Sequence, residues 1–79
     1  TNENKITTAY EVAVTCGRYT TTTVIDRTVC DSLEQAIRIA KWECEWEETI
    51  KAEIRGVLVN EDGVVTFRGG LHSTYDGCL

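Results

Sequence analysis

Apolar and polar residues alternate singly through "TAYEVAVTC", so that Tyr10, Val12, Val14 and Cys16 fall on one side and Glu11, Ala13 and Thr15 on the other. A period of two is that of a strand with one buried face. Gly17 in "CGRY" interrupts it and offers a positive φ for a tight connection. "YTTTTVIDRTVC" follows, rich in the β-branched residues that suit a pleated surface. The two stretches predict an antiparallel hairpin. The run Thr20 to Thr23 reads as part of a half-exposed strand; a hydroxyl array for ice or polysaccharide needs repetition, and the chain has one such run.

The period then lengthens. Ser32 with Gln35 fits the S-x-x-[EQ] capping box, with Asp31 and Glu34 a near-equivalent one residue earlier. Glu34 and Arg38 form an i,i+4 pair in the favourable order. Leu33, Ala36, Ile37, Ala40 and Cys44 recur at helical spacing, which predicts a helix from about Leu33 to Glu48. "TIKAEIRGVLV" returns to period two, with Ile50, Ala52, Ile54 and Leu58 on one face and Lys51, Glu53 and Arg55 opposite. "NEDG" predicts a hairpin turn with Gly63 in the left-handed position, and "VVTFR" closes it, Val65 and Phe67 adding to the core. Residues 1–6 read as a frayed start, and the glycine-rich residues 69–79 as coil or a short edge strand.

The predicted fold class is therefore α+β: one small domain over residues 1–79 in the order ββαββ, an antiparallel four-stranded sheet with one helix packed on one face. Such a chain buries only about 60–65% of the surface its unfolded form exposes, about what one helix against one sheet allows.

The helix carries more than one stripe. At 100° per residue with Leu33 at zero, Ile39, Trp42 and Trp46 fall at roughly 240°, 180° and 220°, behind the stripe expected to face the sheet. Glu43, Glu45, Glu47 and Glu48 edge this second patch. Ile39, Trp42, Glu43, Glu45, Trp46, Glu47 and Glu48 are thus the candidate partner-binding residues, since tryptophan buries much area with few rotors and is enriched in hot spots. Three arrangements remain open: the helix turns its Trp face to the core, the Trp face meets a second copy in a homodimer, or it meets a different protein.

Charge narrows the partner. Thirteen acidic against 8 basic residues give a net charge of −5, and Lys5, Arg18, Arg27, Arg38, Lys41, Lys51, Arg55 and Arg68 are scattered along the chain. Direct binding of nucleic acid is not expected without a basic stripe; a protein or nucleoprotein complex with a basic surface is. No run of 18 apolar residues predicts a membrane span, and no apolar stretch after "TNENK" predicts a signal peptide, so a cytoplasmic protein is expected.

Catalytic and cofactor chemistry is not expected. Cys16, Cys30, Cys44 and Cys78 lack the C-x2–4-C spacing of a zinc site, and an intracellular setting favours thiols over disulfides. Cys30, just before the helix N-terminus, is the one candidate for a reactive thiolate. His72 is the sole imidazole; it stands beside Ser73 and six residues from Cys78 in a segment with nothing to hold a dyad. The carboxylates from Glu43 to Glu48 sit on a convex helix, "RGG" occurs once, and the helix entrance "VCDSLEQ" is no phosphate loop. The chain is also short for a concave site of several hundred Å³.

Strand–strand–helix–strand–strand in so short a chain, with "VCDSLEQAIRIAKWE" leading into "IKAEIRGVLVN", resembles small phage-encoded anti-CRISPR proteins over residues 29–68. The resemblance implies a stoichiometric inhibitor that docks on a type I CRISPR surveillance complex and blocks target-DNA binding. Those complexes line their DNA channel with lysine and arginine, which the acidic edge from Glu43 to Glu48, anchored by Trp42 and Trp46, would occupy. The competing expectation is a homodimeric structural or adaptor domain of phage or bacterial origin without an inhibitory role.

Overall fold

The computed structural model describes residues 5–18, 21–46 and 48–77, side chains included except at 18 and 21–25. The side chains of the Thr20–Thr23 run, Glu47 and Cys78 lie outside the described residues.

The elements run β1 (Thr7–Arg18), β2 (Thr21–Cys30), α1 (Leu33–Glu43), β3 (Thr49–Val59) and β4 (Val65–Asp76). They form one four-stranded antiparallel sheet in the order β2-β1-β3-β4. Both β2 and β3 are antiparallel to β1, so they run parallel to each other. Parallel strands need a long crossover, and α1 supplies it by passing over β1. This is the ββαββ fold that the pattern predicts.

The helix starts where the capping signal places it. Ser32 is the N-cap, and its Oγ accepts from the Gln35 N–H at 3.2 Å. Glu34 and Arg38 pair at 3.3 Å in solvent. Ala36 and Ala40 face the sheet and are fully buried against Val12, Val14, Cys30, Ala52 and Ile54. Their methyl groups allow the helix to lie close, while Leu33, Ile37 and Cys44 pack around the rim. Among the described residues no helix is long and apolar enough to cross a membrane.

The helix ends at Glu43, earlier than its periodicity predicts. Glu45, Trp46 and Thr49 donate their N–H groups three residues back, to Trp42, Glu43 and Trp46, which tightens the chain into turns. The Thr49 hydroxyl donates to the Glu43 carbonyl at 2.8 Å, tying the helix end to the start of β3. A buried threonine thus satisfies a terminal carbonyl that a longer helix would have used.

The second hairpin turns at Asn60, whose Oδ1 accepts from the N–H groups of Asp62 and Val64, and Gly63 takes φ 81°. Gly17, by contrast, lies within β1 opposite Thr22 rather than in a connection. The segment after Gly69 is not a loose tail: β4 continues to Asp76 and pairs with β3 along its length. Its register slips at three places, and such slips blunt an edge strand against further pairing. An 11-residue helix is about 16 Å long while a 12-residue strand runs about 40 Å, so α1 covers only part of the sheet. Phe67 lies beyond its reach and is exposed, whereas Val65 packs on a second small cluster of Ala9, Val57 and Val59.

Candidate functional site

At the end of α1 the tightening turns open a groove of about 700 Å³ lined by Cys16, Trp42, Glu43, Glu45, Trp46, Glu48 and Thr49. The chain is therefore long enough to build a concave site after all, because the early helix end leaves a notch beside β1 and β3. Trp42 and Trp46 are each 55% exposed. Their rings meet edge to face, with centroids 5.5 Å apart at 87°. The i,i+4 relation expected on a continuous helix survives its termination, because Trp46 is held by its N–H on the Glu43 carbonyl.

The carboxylates differ in setting. Glu45 and Glu48 are exposed, whereas Glu43 is half-buried. Burial pushes the Glu43 carboxyl above its ordinary range, and the charge of Asp26 pushes it further. A carboxylate held in this way gains from any cation brought near it. Ile39 departs from the predicted patch: it is half-buried and packs against the core with Leu33 and Ile37. Glu47 lies outside the described residues. The groove thus unites Trp42, Trp46, Glu43, Glu45 and Glu48 and leaves out Ile39.

The candidate thiol and imidazole sit elsewhere. Cys30 is buried in the core, where burial first and then the charge of Asp31 push its thiol up, the reverse of an activated cysteine. His72 is exposed on β4, where Nδ1 shares a hydrogen bond with the Ser73 hydroxyl and the ring meets Tyr10 edge to face. Among the described residues no three His, Cys, Asp or Glu side chains are grouped to hold a metal ion.

A second constellation occupies the sheet face away from α1. Glu11 on β1 is buried although its polar strand position predicts exposure. It accepts from Arg68 on β4 at 2.9 and 3.0 Å and from Arg27 on β2 at 3.2 Å. Burial alone would raise the Glu11 carboxyl, but the hydrogen bonds and charges of Arg68 and Arg27 outweigh it and hold it low. Lys51 and Arg55 flank Glu53 at 3.7 Å on the same face. Four of the eight basic residues that look scattered in sequence, Arg27, Lys51, Arg55 and Arg68, are gathered here by strand register. The signal was present in the alternation of β1 and β3, but only the order β2-β1-β3-β4 brings positions 11, 27 and 68 together.

Comparison with family models, with curated proteins and with solved structures found no match.

Proposed function

We propose that this chain is a non-enzymatic binding protein that docks through the Trp42–Trp46 groove on a basic surface of a protein or nucleoprotein partner. The observation that carries this reading is the exposed, edge-to-face tryptophan pair above a groove walled by Glu43, Glu45 and Glu48. Two half-exposed indoles cost solvation that a partner would recover, and their faces attract cations. The half-buried Glu43 adds a charge that a lysine or arginine would relieve.

The most specific form of the proposal is the one implied by the helix–hairpin resemblance over residues 29–68. In it the partner is a type I CRISPR surveillance complex, and the groove takes up lysine or arginine side chains of the DNA channel so that target DNA is not bound. That form carries a bacterial cytoplasmic location with it.

The test is a pull-down from bacterial lysate containing such complexes, comparing the wild type with a Trp42→Ala/Trp46→Ala variant. Recovery of the surveillance complex by the wild type alone supports the inhibitor. Recovery of nothing but the chain's own copies favours a homodimeric structural domain instead.

A further inference from the structure

The sheet face opposite α1 carries four cations above two sunken carboxylates, and Asp76 of β4, opposite Lys51, is exposed on it as well. Arg27 and Arg68 keep 45% of their side-chain surface exposed while the Glu11 carboxylate beneath them keeps 1%. Lys51 and Arg55 keep 41% and 29% against 19% for Glu53 between them. Arg27, Lys51, Arg55 and Arg68 over two sunken carboxylates, with Asp76 exposed beside Lys51, leave this face a small excess of positive charge centred on Arg27, Arg55 and Arg68, on a chain whose net charge is −5. Val29 on β2 and Leu71 on β4 stand exposed on the row that contains Glu11 and Arg55, one at each flank. The Arg55 Nε is buried without a hydrogen-bond partner among the described residues.

We infer that this cationic face is a docking surface for the groove of a second copy of the same chain. The inference rests on the groove's recognising basic side chains, as proposed above. Complementarity of charge and of side-chain chemistry selects this occupant. The groove offers two exposed indoles and the carboxylates of Glu43, Glu45 and Glu48. The opposite face offers guanidinium groups, which stack on indole, together with aliphatic flanks. A nucleic-acid strand fits less well, because among the described residues Tyr10, Phe67, Tyr75 and both tryptophans lie away from this face and leave it no ring for base stacking. Groove and face lie on different parts of one molecule, so the contact is heterologous: each copy uses its groove on one neighbour and its face on another. Self-association of this kind occupies the groove until a partner with a more basic surface displaces it.

The test uses sedimentation equilibrium on the full chain, with a short polylysine peptide as probe of the groove. The wild type is expected to grow in mass with concentration. It should return to monomer when salt rises from about 0.1 M to about 1 M, where the screening length falls from about 10 Å to about 3 Å. Trp42→Ala/Trp46→Ala disables the groove, and Arg27→Gln/Lys51→Glu disables the face. Each variant alone should be monomeric, and an equimolar mixture should double in mass, because one variant keeps the face and the other the groove. If the face variant does not fold, as judged by circular dichroism, the wild-type assembly is challenged with polylysine instead: dissociation supports the contact, and an unchanged mass overturns it. A dimer lost in the groove variant but intact in the face variant would overturn the heterologous contact in favour of a symmetric tryptophan dimer. A wild type that binds polylysine yet stays monomeric at every concentration overturns the inference and leaves the proposed function standing. A wild type that does neither sinks both.

Discussion

Arg68 reaches across an entire strand to Glu11, 57 positions earlier, and donates to both of its carboxylate oxygens from Nε and a terminal nitrogen at 2.9 and 3.0 Å. Because β3 lies between β4 and β1, this pair clamps the edge strand to the sheet centre. The two partners are unequally buried, and their removal should cost unequally. Arg68→Ala leaves a buried carboxylate with Arg27 alone, which makes it the more costly of the two changes. Glu11→Gln frees two half-exposed arginines that water can solvate, and keeps an amide oxygen to accept from them; about 1–3 kcal/mol is expected. Chemical denaturation of the two variants at pH 7 should show Arg68→Ala as the less stable. The reverse order would mean that the clamp is not held together by desolvation of Glu11.

The same carboxylate gives stability a pH dependence. The folded Glu11 lies below its ordinary value of 4.5, so its stabilisation is full above that value and is lost as pH falls through the lower folded one. Glu43 has the opposite sign, its folded value being raised by burial and by Asp26. Its ionised form therefore weighs against folding, and the penalty grows as pH rises from the unfolded value through the folded one. Glu43→Gln should raise the melting temperature at pH 7 and leave it unchanged at pH 3. In Glu11→Gln, the acid-side loss of stability should become shallower.

Much of this fold can be read from alternation alone. Val12 and Val14, Ala52 and Ile54, and Ala36 and Ala40 declare their faces by spacing, and Ser32 declares the helix start. What the spacing could not give depends on contacts distant in sequence. The helix ends at Glu43, whose carbonyl accepts from both the Trp46 N–H and the Thr49 hydroxyl at the start of β3, a strand fixed in place by its pairing with β1. Ile39 turns towards the core because the helix lies over β1 and β3. Residues 69–76 form strand because β3 offers them a free edge. The groove was half legible: Trp42, Trp46 and their glutamates were visible on a helical wheel, but the notch floored by Cys16 and Thr49 arises only when α1 ends early. The Glu11 clamp was not legible, since it depends on strand order.

Thiol reactivity should follow burial. Cys30 is buried with its thiol pushed up, whereas Cys16 is half-buried beside the open groove. Under native conditions at pH 8, iodoacetamide should modify Cys16 well before Cys30, as mass spectrometry of peptides would show. Early modification of Cys30 would instead revive a redox role at the start of the helix.

Gly77 marks a close approach that only glycine permits. Its N–H donates to the Ile50 carbonyl at 2.7 Å, and a Cβ there would run into the backbone carbonyl of Thr49. Gly77→Ala must push the end of β4 away from β3, at a cost of about 1–3 kcal/mol. Gly70, where a Cβ meets nothing within 4 Å, is the control, and Gly70→Ala should be close to neutral. Because Thr49 also ties the helix end to β3, Gly77→Ala should loosen the groove as well, seen as faster hydrogen exchange at Thr49.

The tryptophans should separate stability from binding. Each ring is half out of the fold and pairs chiefly with the other, so replacing Trp42 with alanine should cost about 1 kcal/mol or less, the worth of an aromatic pair. The same substitution should weaken binding to a basic partner by about 2 kcal/mol or more, as expected of a hot-spot residue. In the monomer the emission should be red-shifted and readily quenched by acrylamide, and a saturating basic partner should shift it to the blue and protect it. A blue, protected spectrum in a proven monomer would mean that the indoles are packed inside the fold, and the groove would then lose its anchors. Strong destabilisation by Trp42→Ala with unchanged binding would lead to the same conclusion by a different route, since it would make the pair part of the core.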